Sequence, residues 1–318
     1  MDFRTTLPPT NDGLDRRGML KCMAWVGTGL VWTVAGGLPA ARLFGQGPAA
    51  GQKGTFSFVQ ISDSHVGFSK PPNTDVLGTL KAVVARINAL PEPPAFVLHT
   101  GDLTHLAKPA EFDMVAQVLK EVRAGRVLYV PGEHDFDGDS NKLYLDRFGQ
   151  GTRGTGWYSF DHQGAHFVGL VNVASNTSGS PSGLGLLGAD QIEWLKADLA
   201  GLAASAPVVV FAHVPLWSVY DKWGWGTQDA AQALALLKRF GSVTVLNGHI
   251  HQVMQKVEGK VAFHTARSTA FPQNEPGKGT PGPIRDLPAG KLRGLLGLTT
   301  VKYVERDTPL AVADPTLG

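Results

Sequence analysis

Five times along this chain a short run of strand-forming residues ends in a turn that carries an acid or a histidine, and this recurrence limits the fold more than any other feature. Thr55 to Ile61 alternates aromatic and β-branched residues with polar ones and leads into Asp63-Ser64-His65. Ala95 to Leu98 precedes Gly101-Asp102, and Arg126 to Val130 precedes Gly132-Glu133-His134-Asp135. Val208 to Phe211 precedes His213, and Val243 to Leu246 precedes Gly248-His249-Ile250-His251. Between these runs lie helical spacings. Val76, Leu80, Val83, Val84 and Ile87 follow Thr74 as N-cap and stop at Pro91-Glu92-Pro93-Pro94. Further helices are expected from Pro109 to Val122, around Ile192, Leu195 and Leu199, and from Gln228 to Arg239; Trp157 to Phe160 and His166 to Val171 read as a hairpin. Strand-helix alternation predicts an α/β fold, in which ligands gather at the C-terminal ends of the strands because helix N-termini converge there. A chain of 318 residues with 43% hydrophobic content suits one large domain.

The residues at those strand ends are oxygen and imidazole donors, which suit zinc, manganese or iron, and a shared carboxylate lets two cations lie side by side. One Gly-Asp turn or one histidine after a strand is weak evidence; five in order at equivalent places form a constellation. The single cysteine, Cys22, lies in the N-terminal segment, which removes thiolate catalysis and cysteine-based zinc sites from consideration.

In this order the motifs resemble the calcineurin-like metallophosphoesterase superfamily, whose pattern is Asp-x-His, Gly-Asp, Gly-Asn-His-Asp/Glu, His and Gly-His-x-His. The resemblance runs from about Thr55 to Thr265 and includes the context Trp157-Tyr158-Ser159-Phe160. It implies a four-layer α/β/β/α sandwich of two mixed sheets flanked by helices, with a dinuclear metal site at the strand ends. It further implies that Asp63, His65 and His251 hold one ion, His213 and His249 the other, and Asp102 bridges them. His134 would contact the scissile phosphate and help protonate the leaving oxygen, with Asp135 orienting it. Glu133 departs from the pattern: a carboxylate stands where the family has an asparagine ligand, making the centre more anionic. The cofactors implied are two divalent or trivalent ions, Fe, Mn or Zn, and the reaction is hydrolysis of a phosphodiester or phosphomonoester by hydroxide generated on the metals. Length and the Gly-His-x-His ending look most like the class III branch of cyclic-nucleotide and glycerophosphodiester phosphodiesterases. His105 stands three residues after Asp102, where purple acid phosphatases carry a tyrosine ligand, and flanks the substrate or is structural. His99, His162, His166 and His264 are expected to be packing or surface residues.

Asp15-Arg16-Arg17-Gly18-Met19-Leu20-Lys21 followed by a weakly apolar, glycine-broken run from Cys22 to Leu38 looks like a twin-arginine export signal. The run is short for a spanning helix, so no stable membrane anchor is expected. Cleavage after Ala49 would divide the chain into a signal, 1–49, and a metallophosphoesterase domain, 50–318, working in the periplasm or otherwise outside the cytoplasm. Residues 1–50 hold five basic and three acidic residues, leaving 24 of each sign in the remainder. A neutral remainder gives no footprint for nucleic acid, so the expected partner is a small-molecule phosphoester. The Pro/Gly-rich stretch 271–290 reads as a surface loop serving as a lid or a homo-oligomer contact, before a last strand from Thr299 to Val304. Trp217, Tyr220, Trp223 and Trp225 crowd the segment after His213, as a packed loop or as an aromatic wall beside the metals. Two rival functions stay open: a nuclease of the same superfamily, suggested by His105, and a metal-binding interaction protein with little hydrolase activity, suggested by Glu133.

Overall fold

In a computed structural model, residues 55–137, 140–173, 185–288, 290–304 and 308–318 are described. The proposed export segment lies outside them. The strands are β1 (Thr55–Ile61), β2 (Val97–Thr100), β3 (Val127–Val130), β4 (Tyr158–His162), β5 (Ala165–Gly169), β6 (Pro207–Ala212), β7 (Ser242–Asn247), β8 (Gln255–Glu258), β9 (Val261–Thr265), β10 (Thr299–Val304) and β11 (Thr308–Ala313). The helices are α1 (Val76–Asn88), α2 (Pro109–Leu119), α3 (Lys142–Phe148), α4 (Ala189–Leu199) and α5 (Ala230–Leu237).

Two mixed sheets result, ordered β11-β10-β1-β2-β3 and β4-β5-β6-β7-β9-β8. In the first, β1, β2 and β3 run parallel and β10 joins β1 antiparallel, with Phe58 opposite Val301. In the second, β5, β6, β7 and β9 run parallel, with antiparallel β4 and β8 at the edges. Three buried clusters define four layers. One joins α1, α2 and α3 to the first sheet through Leu80, Val83, Phe112 and Tyr144. A second lies between the sheets around Phe58, Phe96, Phe167, Phe211 and Val301. The third joins α4 and α5 to the second sheet through Leu195, Leu199, Ala233 and Leu237. Strands buried on both faces read as continuous apolar runs, which is why Val208 to Phe211 shows no alternation.

Where local signals were strong the expected elements recur within two or three residues, with instructive exceptions. The N-cap of α1 is Asp75, not Thr74: its carboxylate accepts from Gly78 N at 2.8 Å. Helix α3, the β8–β9 hairpin and β11 were not expected. Strand β8 is exposed at all four positions, so no buried face marks it, and α3 is only seven residues long.

At the C-terminal strand ends the sheets are stitched together by buried polar groups. Gln60 on β1 donates to Asn247 O on β7 at 3.0 Å and to Thr100 Oγ1 on β2 at 3.0 Å. His213, just past β6, donates from Nδ1 to Thr100 O at 2.7 Å. Each buried bond satisfies a group that would otherwise cost about 1–3 kcal/mol to leave unpaired, so this edge holds the facing loops in one register.

Candidate metal centre

All five turns meet at this edge. Asp63 N donates to Gly101 O at 3.0 Å, His65 N to Asp102 O at 2.9 Å, and Gly248 N to His213 O at 2.9 Å. His249 N closes the ring on the Asp63 carboxylate at 3.1 and 3.2 Å. The interlock demands unusual backbone: Asp63, His65, Asp102, His249 and His251 all have positive φ, between 41° and 69°. Such conformations cost roughly 1–3 kcal/mol each in a residue other than glycine and persist only where the surroundings over-determine them. Two glycines allow the close approach. A Cβ on Gly132 would collide with the Asp102 carboxylate, and one on Gly248 with Ser62 Oγ.

The side chains sort into two triplets about one carboxylate. Asp63, His65 and His251 present ligand atoms together, with His251 Nε2 at 3.2 Å from both Asp63 Oδ1 and His65 Nε2. Glu133, His213 and His249 form the second triplet, with Glu133 Oε1 at 2.9 Å from His249 Nδ1 and Oε2 at 3.0 Å from His213 Nε2. Asp102 Oδ2 lies 3.4 Å from His65 Nε2 and 3.4 Å from His213 Nε2, between the two. Its other oxygen accepts from His134 N at 3.0 Å.

The donor set fits cations. Glu133 Oε2, His213 Nε2 and His249 Nδ1 are buried and, among the described residues, are not aligned for hydrogen bonds despite their proximity. Convergent lone pairs of this kind are costly without a positive charge among them. His213 and His251 each donate Nδ1–H to a backbone carbonyl, Thr100 O at 2.7 Å and Phe271 O at 2.6 Å, which leaves Nε2 as the ligand atom. Without an ion the groups charge one another. Burial opposes the charge on His213, yet Asp102 and Glu133 outweigh it and hold the imidazole well above its ordinary range. Burial would likewise raise Glu133 and Asp63, but the facing histidines bring Glu133 well below the usual carboxylate range and Asp63 to about 2. His65, by burial and by its three histidine neighbours, is kept neutral and so ready to ligate.

His134 borders the cavity above the triplets, its ring 4.8 Å from that of His65. Its Nδ1 donates to His105 O at 2.8 Å, and although burial opposes protonation, Asp102 and Glu133 raise its pKa. Asp135 does not orient this ring. Its buried carboxylate is occupied by Gly132 N, Leu103 N, Thr104 N and Thr104 Oγ1 at 2.9 to 3.1 Å, so it braces the Gly101-Asp102 turn against the Glu133 turn, while the His105 carbonyl holds His134. The His105 ring itself stacks on His134 at 5.0 Å and lines the cavity, its pKa lowered to about 4 by burial and by His134.

From the Pro/Gly-rich stretch, residues between Phe271 and Arg285 form a wall of this cavity. Phe271 is buried and its carbonyl orients His251; Gln273 donates to His249 O at 2.9 Å and accepts from Gly282 N at 3.0 Å. Pattern reading had no means of finding Gln273, because a lone glutamine in a Pro/Gly-rich segment carries no periodic signal. Trp223 and Trp225 border the same cavity, Trp225 buried and Trp223 half-buried, whereas Trp217 packs on Phe263 at 5.0 Å. His99, His162, His166 and His264 do not line it; His99, for instance, is buried against Ser64 Oγ at 2.8 Å.

Comparison with known proteins agrees with this geometry. Residues 56–253 match the profile of the calcineurin-like phosphoesterase family. The chain is 26% identical over 226 residues to a 3′,5′-cyclic-nucleotide phosphodiesterase of Nostoc sp., covering 69% of this chain and 80% of that protein. It is 29% identical over 178 residues to the glycerophosphodiester phosphodiesterase GpdQ of Enterobacter lignolyticus, covering 54% and 61%. Its fold is similar to that of a dimetal phosphatase from Danio rerio, with TM-score 0.64 at 17% identity over 83% of this chain and 96% of the other.

Proposed function

Since the chain belongs to the calcineurin-like phosphoesterase family and is a metal-dependent phosphoester hydrolase, we propose that it cleaves a phosphodiester, and does so outside the cytoplasm. The observation that carries the chemistry is the pair of His/carboxylate triplets meeting at Asp102. Asp63, His65 and His251 would hold one ion, Glu133, His213 and His249 the second, and Asp102 both. Bound there, the ions supply Lewis-acid polarisation of the phosphoryl oxygens and activation of water near neutral pH.

The chain's own groups do the rest. His134, its Nδ1 tied to the His105 carbonyl and its protonation favoured by Asp102 and Glu133, retains Nε2–H to donate to the leaving oxygen. The Gln273 bridge holds the His249 backbone, and Asp135 holds the Gly101 and Gly132 turns, so the ligands are set before substrate arrives. The aromatic groups Phe68, Trp223 and Phe271 border the cavity and offer ring surface to an organic substituent. The diesterase relatives support a diester over a monoester.

The test is turnover by the metal-reconstituted chain of bis(p-nitrophenyl) phosphate against p-nitrophenyl phosphate. Faster cleavage of the diester is expected; no cleavage of either with both ions bound would overturn the reading in favour of a metal-binding interaction protein. Export follows from Arg16-Arg17 and the apolar run behind them. A fusion of residues 1–49 to a folded reporter should be exported, and replacing both arginines by lysine should retain it in the cytoplasm.

A further inference from the structure

The cavity over the metal centre is larger than one phosphate requires. Its volume, about 450 Å³, falls in the range of about 300–1,000 Å³ typical of sites for substrates with a sizeable organic part. Among the residues bordering it are two cations outside the metal-binding set, Lys70 and Arg285, both solvent-exposed and so at the rim. Neither makes an ion pair with a carboxylate among the described residues.

Both are carried by loops that buried hydrogen bonds tie to the centre. Lys70 opens a turn closed by Asn73 N donating to its carbonyl at 3.0 Å, and Asn73 Nδ2 donates to Ala270 O at 2.7 Å, next to Phe271. Arg285 follows a closed turn in which Gln273 pairs with Pro283 and Ile284 N donates to Pro272 O at 3.1 Å. That turn is the one whose Gln273 holds His249. Trp223 borders the same cavity, held edge-on by Tyr220 at 5.2 Å and Trp225 at 5.1 Å.

Charge decides what the rim is for. Two divalent ions among the carboxylates of Asp63, Asp102 and Glu133 would leave at most a single net positive charge, which the reacting phosphoester alone would balance. Lys70 and Arg285 border the cavity outside this balance, neither paired with a carboxylate among the described residues. Resting on the hydrolase reading above, we propose that the physiological substrate is a phosphoester whose organic part bears a second phosphate, held at the rim by Lys70 and Arg285, with its ring against Trp223. A guanidinium fork and an ammonium together suit phosphate, since both are donors only and the fork binds two oxygens at once.

The test is calorimetric titration of the metal-reconstituted chain with adenosine 5′-monophosphate and with adenosine 3′,5′-bisphosphate. About tenfold tighter binding of the bisphosphate is expected from charge-assisted contacts to a second phosphate. In the double variant Lys70→Met, Arg285→Met that preference should shrink to about twofold, with thermal unfolding unchanged because neither side chain is packed. Equal affinities in the wild type, a preference that survives the double substitution, or no binding of either nucleotide would each overturn the proposal. Because binding is read directly, the answer stands apart from turnover of bis(p-nitrophenyl) phosphate, which tests the hydrolase reading alone.

Discussion

The two halves of the metal centre use the same kinds of atom in different surroundings. Asp63, His65 and His251 are each at most 2% exposed, and Asp63 and His251 are braced by the His249 N–H and the Phe271 carbonyl. In the other half only His213 is fully buried; the Glu133 side chain is 21% exposed and that of His249 15%, and both border the cavity. The sealed half would therefore hold an ion against exchange, while the open half borders the cavity that solvent and substrate enter. The difference bears on the carboxylate at position 133: as a ligand on the cavity side it would add negative charge where an ion is least enclosed, strengthening retention there at some cost in electrophilicity.

The largest effect should come from erasing the comparison. Asp102→Ala removes the carboxylate that sits 3.4 Å from a histidine of each half, so metal analysis should show both ions depleted. Turnover should fall by about 10⁴-fold or more, since metal activation supplies several kcal/mol. Retention of both ions would break the bridging assignment. Glu133→Ala should separate the halves: one ion kept after chelator dialysis and the other lost, with turnover down about 10³-fold. Glu133→Asn should keep both ions but release the second at a lower chelator concentration; no change in either property would mean that this position is not a ligand.

His134→Ala leaves both halves intact, so metal content should hold while kcat drops about 10²–10³-fold, the usual worth of a general acid. Gln273→Ala should loosen only the open half, costing about tenfold in second-ion affinity, as expected for a group that orients a ligand rather than binding the ion.

The smallest effect belongs to a histidine outside the centre. His166 lies between Asp161 at 2.8 Å and Asp198 at 2.9 Å; burial disfavours its charge, but the two carboxylates raise its pKa above the usual 6.5. A raised folded-state value means that its stabilisation is fully present below about 6.5 and is lost as pH rises through the folded value. His166→Gln should therefore lower Tm more at pH 5.5 than at pH 8.5. A difference independent of pH would show that the ring acts only by packing.

Much of the centre was legible in the chain because it is local. A strand of four to seven residues that ends in a tight turn puts the next acid or histidine at a sheet edge whatever its neighbours are. The same locality explains what was missed. Strand β8, exposed at all four positions, has no apolar face to betray it. Asp135 sits one residue after His134 and so was expected to orient it, but its carboxylate points to groups some 30 residues away, at Leu103 and Thr104.

From the sequence alone came the ligand types, their order, the two-sheet architecture implied by the family resemblance, and the anomaly at Glu133. Only the tertiary structure decided which groups share an ion, that the carbonyls of Phe271 and His105 aim His251 and His134, and that a Pro/Gly-rich stretch walls the cavity and presents Arg285 to it. Such contacts join residues 20 to 186 positions apart, and no periodicity in the chain encodes them. They arise when backbone N–H and C=O groups at the ends of two facing sheets must find partners away from water, and the loops settle where those bonds can be made.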